Sequence, residues 1–171
     1  MEIACEWMLG GVDMEFEVRK LESDSDKKGK AYVHWKSWHE AYSEIVSKEY
    51  LEKLSLEKCE EMAFRWPDNT YVALDWDKVV GFACYYVHDD DPKVGEINAI
   101  YVLADYYGTG VAQKLMEAGL SELSEQARVE LWVLKDNPRA ISFYKKFGFT
   151  EDGTEQYLES ISATEIRMVK G

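Results

Sequence analysis

"IYVLADYYGTGVAQKLMEAGL", Ile100 to Leu120, changes character halfway along. It opens with Ile100, Tyr101, Val102 and Leu103, an apolar run rich in strand-forming side chains. It ends with Ala112, Leu115, Met116 and Leu120 at helical spacing, and Leu123 continues that face. Between the two halves stands Gly108-Thr109-Gly110. A strand that becomes a helix through two glycines has two readings. It is a plain tight turn, or it is a cradle whose N–H groups and helix dipole hold a phosphate. Glycine allows such an anion to approach the backbone closely.

The neighbours of the glycines narrow the second reading. A Walker A loop needs Gly-Lys-Ser/Thr, and Gly110 is followed by Val-Ala-Gln-Lys. A dinucleotide fingerprint needs a small residue three positions after Gly110, where Gln113 stands.

Outward from this turn the chain alternates between the two periodicities. Upstream, "EINAIYVL" reads as a strand, preceded by a turn over Asp89–Gly95, and "NTYVALD" and "KVVGFACYYVH" read as two strands joined tightly at Asp75–Lys78. Residues 31 to about 66 lack glycine and proline and carry apolar residues at helical spacing, giving two helices with a break near Val46-Ser47. "SDSDKKGK", Ser23 to Lys30, is the most loop-like stretch, or else a helix start capped by Ser or Asp. Before it, Met14, Phe16 and Val18 alternate with charged residues as a strand does. Downstream, Gly110 to about Ser124 reads as a helix. "VELWVL" reads as a buried parallel strand, "NPRAISFYKKFGF" as a short helix ending at Gly148, and "EIRMVK" as a last strand. The order βαα, ββ, β-α-β, α-β-β implies an α/β (α+β) fold in one domain spanning residues 1–171. Its sheet is mixed and mostly antiparallel, flanked by helices, with one right-handed β-α-β unit.

Bulk properties exclude several classes. The chain has 171 residues, enough for one domain with a real core. Its net charge of −13 lacks the basic footprint of a nucleic-acid binder and repels an acidic membrane surface. No apolar run reaches the ~18 residues of a membrane span, and the acidic N-terminus does not read as a signal peptide. Cys5, Cys59 and Cys84 are far apart and odd in number, which favours a reducing, cytoplasmic setting over a disulfide framework. His34, His39 and His88 have no ligand partner at i+3 or i+4, so the spacing supports no metal.

Two motifs together carry a family resemblance. Tyr107-Gly108-Thr109-Gly110-Val111-Ala112 resembles the Q/R-x-x-G-x-G/A signature of the GNAT acyltransferase superfamily at Gly110 and Ala112, and departs from it at Tyr107. "NPRAISFYKKFGF" resembles the superfamily pattern N-x-x-A-x-x-F-Y-x-K-x-G-F at Asn137, Ala140, Phe143, Tyr144, Lys146, Gly148 and Phe149. "GEINAIYVL" is similar to the strand that leads into the family's glycine loop. The resemblance runs from about Tyr71 to Lys170, with a weaker echo in the first helices.

The resemblance implies a GNAT-like fold, acetyl-CoA as co-substrate and direct transfer of its acetyl group to an amine, without a metal. The acceptor is then a small cationic amine or a peptide amino group. Acyl transfer needs a neutral amine, a stabilised oxyanion and a protonated leaving thiolate. Tyr144 is the candidate acid, or a packed aromatic. Glu96 is the candidate base acting through water, or an acid exposed at a strand end. Regular alternation puts Glu96, Asn98 and Ile100 on one face, and a bulge would break that phase. The family pairs the pantetheine arm with the strand holding Ile100, Tyr101 and Val102, and the pyrophosphate with the turn Tyr107–Ala112. Asn137 is both a cofactor contact and, with Pro138 after it, a good N-cap. Lys114, Arg139, Lys145 and Lys146 are cations near the two motifs, for the cofactor's phosphates or for solvent. Trp38 and Tyr42, with Trp35 and His39, line the acceptor pocket or fill core. The family also implies a homodimer. An alternative of a different class is a non-catalytic acyl-CoA sensor or interaction module on the same fold.

Overall fold

The first helix begins where the sequence looks most like a loop. In the computed structural model, which describes residues 16–171, strand β1 (Glu17–Lys20) leads directly into α1 (Asp24–Ala41). Ser23 is the N-cap. Its hydroxyl accepts the Asp26 N–H at 3.0 Å, and the Asp26 carboxylate accepts the Ser23 N–H at 3.0 Å. This reciprocal box satisfies donors that a helix start leaves open. Arg19 then grips the same carboxylate with two bonds of 2.8 and 3.0 Å, which holds the Asp26 carboxyl well below its ordinary range. The loop-like reading of Ser23–Lys30 therefore gives way to its alternative, a capped helix. The Met14 end of the expected first strand, Cys5 and the acidic N-terminus lie outside the described residues.

The segment expected as two helices is three. The break near Val46-Ser47 is present, and Ser47 caps α2 (Lys48–Lys53). A second break follows at Leu54, and Ser55 caps α3 (Leu56–Arg65) through the Lys58 N–H at 3.2 Å. Serine at an N-cap costs little to insert into an apolar periodicity, so the pattern runs on across the interruption.

The remaining elements are β2 (Thr70–Asp75), β3 (Lys78–Val87), β4 (Val94–Val102), α4 (Val111–Glu122), β5 (Arg128–Leu134), α5 (Pro138–Lys146), β6 (Thr150–Leu158) and β7 (Ala163–Lys170). They form one sheet of order β1-β2-β3-β4-β5-β7-β6. Among the described residues every pairing is antiparallel except β4 with β5, which the β-α-β unit makes parallel. The sheet is thus the mixed, mostly antiparallel one expected.

Two irregularities of β4 shape everything downstream. Cys84 pairs with Ala99 and Tyr85 with Ile97, so Asn98 is an extra residue, a bulge. Glu96 and Ile100 are consequently out of the regular phase. The parallel ladder to β5 also holds only three pairs and stops at Glu96–Glu130. Both strands continue, to Val102 and Leu134, but not together. β5 stays paired with β7 as far as Leu134. The sheet therefore splits between β4 and β5 in its upper half.

Helix α1 lies tightly on β3. A Cβ placed on Gly29 meets the Val79 Cβ and Cγ2 at 2.6 Å. Alanine in a helix interior normally gains about 1 kcal/mol over glycine, but overpacking against a branched side chain costs about 1–3 kcal/mol. Gly29→Ala is therefore expected to lower stability in urea denaturation. A gain in stability would show that α1 does not sit this close.

Candidate active site

The glycine turn opens directly onto a helix end without side-chain protection. Gly108 and Gly110 have φ of 76° and 91°, a left-handed backbone that favours glycine. Gly110 is the N-cap of α4. It offers no side-chain cap, and no acid lies in the first turn. The Lys114 N–H is bonded to the Gly110 carbonyl at 3.0 Å, so the first-turn N–H groups of Val111, Ala112 and Gln113 lack an intrahelical acceptor. Thr109 folds back, its hydroxyl donating to the Tyr106 carbonyl at 2.6 Å. Bare donors and a positive dipole end make this a place for an anion. Tyr107 turns outward, and the Arg139 guanidinium stacks 3.8 Å from its ring centroid. That contact brings the start of α5 and its cation to the glycine turn. Of the other cations, Lys145 is paired with Glu151 at 2.9 Å.

The split beside this turn leaves backbone donors open. The Leu103 N–H bonds to the Val80 carbonyl at 2.9 Å, so it faces β3. Strand alternation then points the N–H groups of Val102 and Ile100 toward β5, which has already parted from β4. A narrow cavity of about 60 Å³ lies in the gap, walled by Ile100, Tyr101, Val133, Trp38, Tyr42 and Tyr144 among others. Tyr144 is 9% exposed. Burial, helped by Tyr42, raises its phenol above the ordinary value. Burial likewise pushes Tyr42 up to about 12. The Trp38 indole Nε1 is buried and has no hydrogen-bond partner among the described residues. Asn137 is buried and caps α5 by accepting the Ala140 N–H at 3.1 Å, with Pro138 after it.

Beside it lies a larger cavity of about 650 Å³, between α1, α3, β3 and β4. Asn98, Ala99 and Tyr101 line both spaces. The two cavities therefore meet across the bulge. Lys30 enters the larger one, its ammonium bonded to the Trp66 carbonyl at 3.0 Å and to the Thr70 hydroxyl at 3.2 Å. His34 stacks on Tyr101 at 5.5 Å, and burial lowers its pKa to about 4, which keeps it neutral at pH 7. Trp38 and Tyr42 line the narrow gap and not this cavity. Trp35 and His39 line neither. The ring nitrogens of His39 face the Trp35 and Leu51 carbonyls at 2.8 and 3.0 Å.

Glu96 is buried and lines neither cavity. Its Oε2 accepts the Tyr86 hydroxyl at 2.7 Å and lies 3.1 Å from His88 Nε2. Glu130 stands beside it across the parallel ladder. His88 and Glu130 were not legible as partners because each comes from a different strand. The spacing rule looks along one helix, and this cluster forms across three chain segments.

Comparison with known proteins adds a third line. Residues 35–149 match the model of the acetyltransferase (GNAT) family. N-alpha-acetyltransferase 30 of Schizosaccharomyces pombe is 32% identical over 111 residues, covering 62% of this chain and 73% of that protein. An uncharacterized N-acetyltransferase of Archaeoglobus fulgidus is 32% identical over 140 residues, 75% of this chain and 88% of that one. Other curated relatives are spanned over about half their length. One is the Dictyostelium discoideum homologue of the ARD1 subunit of an N-terminal acetyltransferase complex, 37% identical over 100 residues, 54% of this chain and 49% of its own length. The PaiA N-acetyltransferase of Thermoplasma acidophilum, solved with coenzyme A, shares the fold. It has a TM-score of 0.72 and 24% identity over 92% of this chain and 99% of that one.

The glycine turn can be tested apart from any ligand. Nothing lies within 4 Å of a Cβ built on Gly110, so a side chain there strains only the backbone. Gly110→Ala is expected to cost about 1–2 kcal/mol, and Gly110→Asn less, because asparagine tolerates the left-handed region. Equal stability of all three proteins in denaturant would mean that the left-handed turn is not required.

Proposed function

The chain belongs to the acetyltransferase (GNAT) family, and on that premise we propose that it transfers the acetyl group of acetyl-CoA directly to a primary amine, the amino group of a peptide being the leading acceptor class. The observation that carries this is the split between β4 and β5, with a buried tyrosine on its wall and, after the turn that follows β4, a bare helix N-terminus. The names of two relatives, N-alpha-acetyltransferase 30 and the ARD1 subunit homologue, support a peptide acceptor. The net charge of −13 supports an acceptor that arrives as a cation.

The residues present suit acetyl-CoA. The first-turn N–H groups of α4 and the Arg139 cation take the pyrophosphate. The open N–H groups of Val102 and Ile100 pair with the pantetheine arm, and an N–H of this strand faces the thioester oxygen as charge builds there. Acetyl-CoA supplies an activated acyl group: the amine's nitrogen forms a C–N bond as the C–S bond breaks. The acceptor reaches the thioester from the larger cavity, across the bulge at Asn98. Because Asn98 belongs to both spaces, the two substrates meet at the bulge.

Tyr144 serves the leaving group. A phenol near ~10 already holds its proton more tightly than a thiol near ~8.5, and burial raises Tyr144 further. It therefore donates a hydrogen bond to the departing sulfur, while the nitrogen's own proton is the energetically easier supply for the thiolate. Glu96, set back from both cavities, takes the first proton through water as the arriving ammonium ion becomes the attacking amine, and the second proton, released from nitrogen as the C–N bond forms, goes to the departing thiolate. No cysteine lies in either motif to form an acyl-enzyme.

Thiol release from acetyl-CoA against a panel of peptides, polyamines, aminoglycosides and amino acids tests the reading, with calorimetric acetyl-CoA binding alongside. Release with peptides is expected. Tight binding without release for any amine would make the fold a binding module instead. With an active acceptor in hand, Tyr144→Phe is expected to lower kcat by about 10²-fold while the dissociation constant of coenzyme A stays within about twofold, because the ring remains and only the donor is lost. Unchanged turnover would remove Tyr144 from the chemistry. The phenol's raised pKa also means that it stays protonated up to and beyond pH 10, so Tyr144 causes no alkaline loss of kcat between pH 7 and 9.

A further inference from the structure

Among the described residues, one ammonium is buried without a counter-ion. Lys30, on α1, is only 8% exposed. Its Nζ donates to the Trp66 carbonyl at 3.0 Å and to the Thr70 hydroxyl at 3.2 Å, and it lies 5.6 Å from the Phe82 ring centroid. No carboxylate of the described residues forms an ion pair with it. An ammonium has three donors, and the third has no acceptor among those residues. Lysine is almost never buried this far unless an anion pairs with it. Neutral oxygens replace only part of the hydration that the charge has lost.

Lys30 stands on the wall of the larger cavity, the space from which the acceptor arrives. The charged residues lining that cavity are Lys30, Arg65 and Asp68. Arg65 and Asp68 are exposed, and the Arg65 guanidinium lies 5.1 Å from the Trp66 ring centroid. The buried charge of this cavity is therefore positive, although the chain as a whole carries −13. The sheet beneath sets the distance from Lys30 to the chemistry. Thr70, Cys84 and Ala99 are cross-strand partners on β2, β3 and β4, and the Thr70 hydroxyl lies 3.3 Å from Cys84 Sγ. Lys30 is bonded to one end of this row, and the bulge at Asn98 adjoins the other. The row crosses two strand spacings, roughly 10 Å in all.

From this placement we infer that Lys30 binds a carboxylate of the acceptor, and that the carboxylate is the side chain of an acidic second residue in a peptide. Spacing decides between two sources of that group. The α-carboxylate of a free amino acid is a single carbon from its amine, too near to reach Lys30 while the amine lies at the bulge. An acidic side chain on the second residue starts about 3.5 Å further along an extended chain and adds its own length. The third N–H of Lys30 then donates to a carboxylate oxygen, a charge-assisted bond in a place largely closed to water. The amine end still arrives as an ammonium ion, and the acid follows it. The inference rests on the transferase reading for the position of the amine, and its binding is measured without turnover.

The test is calorimetric titration of the full-length protein, saturated with coenzyme A. The ligands are two C-terminally amidated peptides that begin Ala-Glu and Ala-Gln and are otherwise identical, with free alanine as the source of an α-carboxylate. The Glu peptide is expected to bind at least about tenfold more tightly than the Gln peptide, and more tightly than alanine. Lys30→Met, checked for folding by circular dichroism, should bring the ratio of the two peptides close to one, and Lys30→Arg should keep part of it. With acetyl-CoA, the same preference should appear in kcat/KM for thiol release and lie mainly in KM. If Lys30→Met does not fold, the preference of the unmodified protein and of Lys30→Arg decides. Equal binding of the two peptides, no binding of either, or a preference that survives in folded Lys30→Met would overturn the inference, and tighter binding of alanine would overturn the second-residue assignment. Preferential binding of the Glu peptide without thiol release would keep the carboxylate site and remove the transferase reading.

Discussion

The structure depends on the parting of β4 from β5. A parallel ladder of three pairs commits the two strands to one sheet, and the ladder's end releases them. β5 keeps its pairing with β7 and β4 keeps its pairing with β3, so the two strands part from each other, with the extra residue Asn98 in β4 where they do. A sheet split in this way exposes backbone donors that would otherwise be spent on a neighbour. Helix α4 starts after the glycine turn that follows β4, with its N-terminus uncapped by any side chain. On the proposed reading, backbone donors supply most of the recognition of an extended, amide-bearing, phosphate-ended ligand, and Arg139 adds charge at the turn.

The polar side chains around the opening are mostly phenols and indoles. Tyr42, Tyr101, Tyr144 and Trp38 crowd the gap, and burial keeps the three phenols protonated. A lining of neutral donors stabilises a developing negative charge without offering a competing anion. The charged groups stand back. Glu96 and Glu130 are grouped with His88 at the paired end of the strands, and Arg139 is held at the glycine turn by Tyr107. Tyr107 occupies the position where the family signature has glutamine or arginine. Its ring recruits a guanidinium from α5, so positive charge reaches the turn by another route.

Much of this was legible in the chain because it is written in local patterns. The strand-to-helix change at Gly108–Gly110, the Asp75–Lys78 hairpin and the Asn137–Pro138 helix start each need only neighbouring residues to be read. Errors arose where a local pattern was ambiguous. Ser23–Lys30 is polar enough for a loop, yet Ser23 and Asp26 cap each other and Arg19, from the preceding strand, secures the pair. Leu54-Ser55 breaks a helix without glycine or proline. The site's outline was legible through the two motifs. Its second cavity and the His88, Glu96 and Glu130 cluster were not, since they exist only when three strands and two helices are brought together. Regular alternation puts Asn98 on one face with Glu96 and Ile100 unless a bulge intervenes; the bulge is present, and the residue's place on the border of two cavities follows from it.

Amide exchange, measured by NMR with and without acetyl-CoA, tests the account most directly. Slowed exchange at Ile100 and Val102, together with Val111 and Ala112, is the result expected if the ligand completes the open edge of β4 and caps α4. The Leu103 amide, already bonded to Val80, should change little. Saturating acetyl-CoA that leaves Ile100 and Val102 exchanging as before would contradict the central claim that the parted strand is the binding edge.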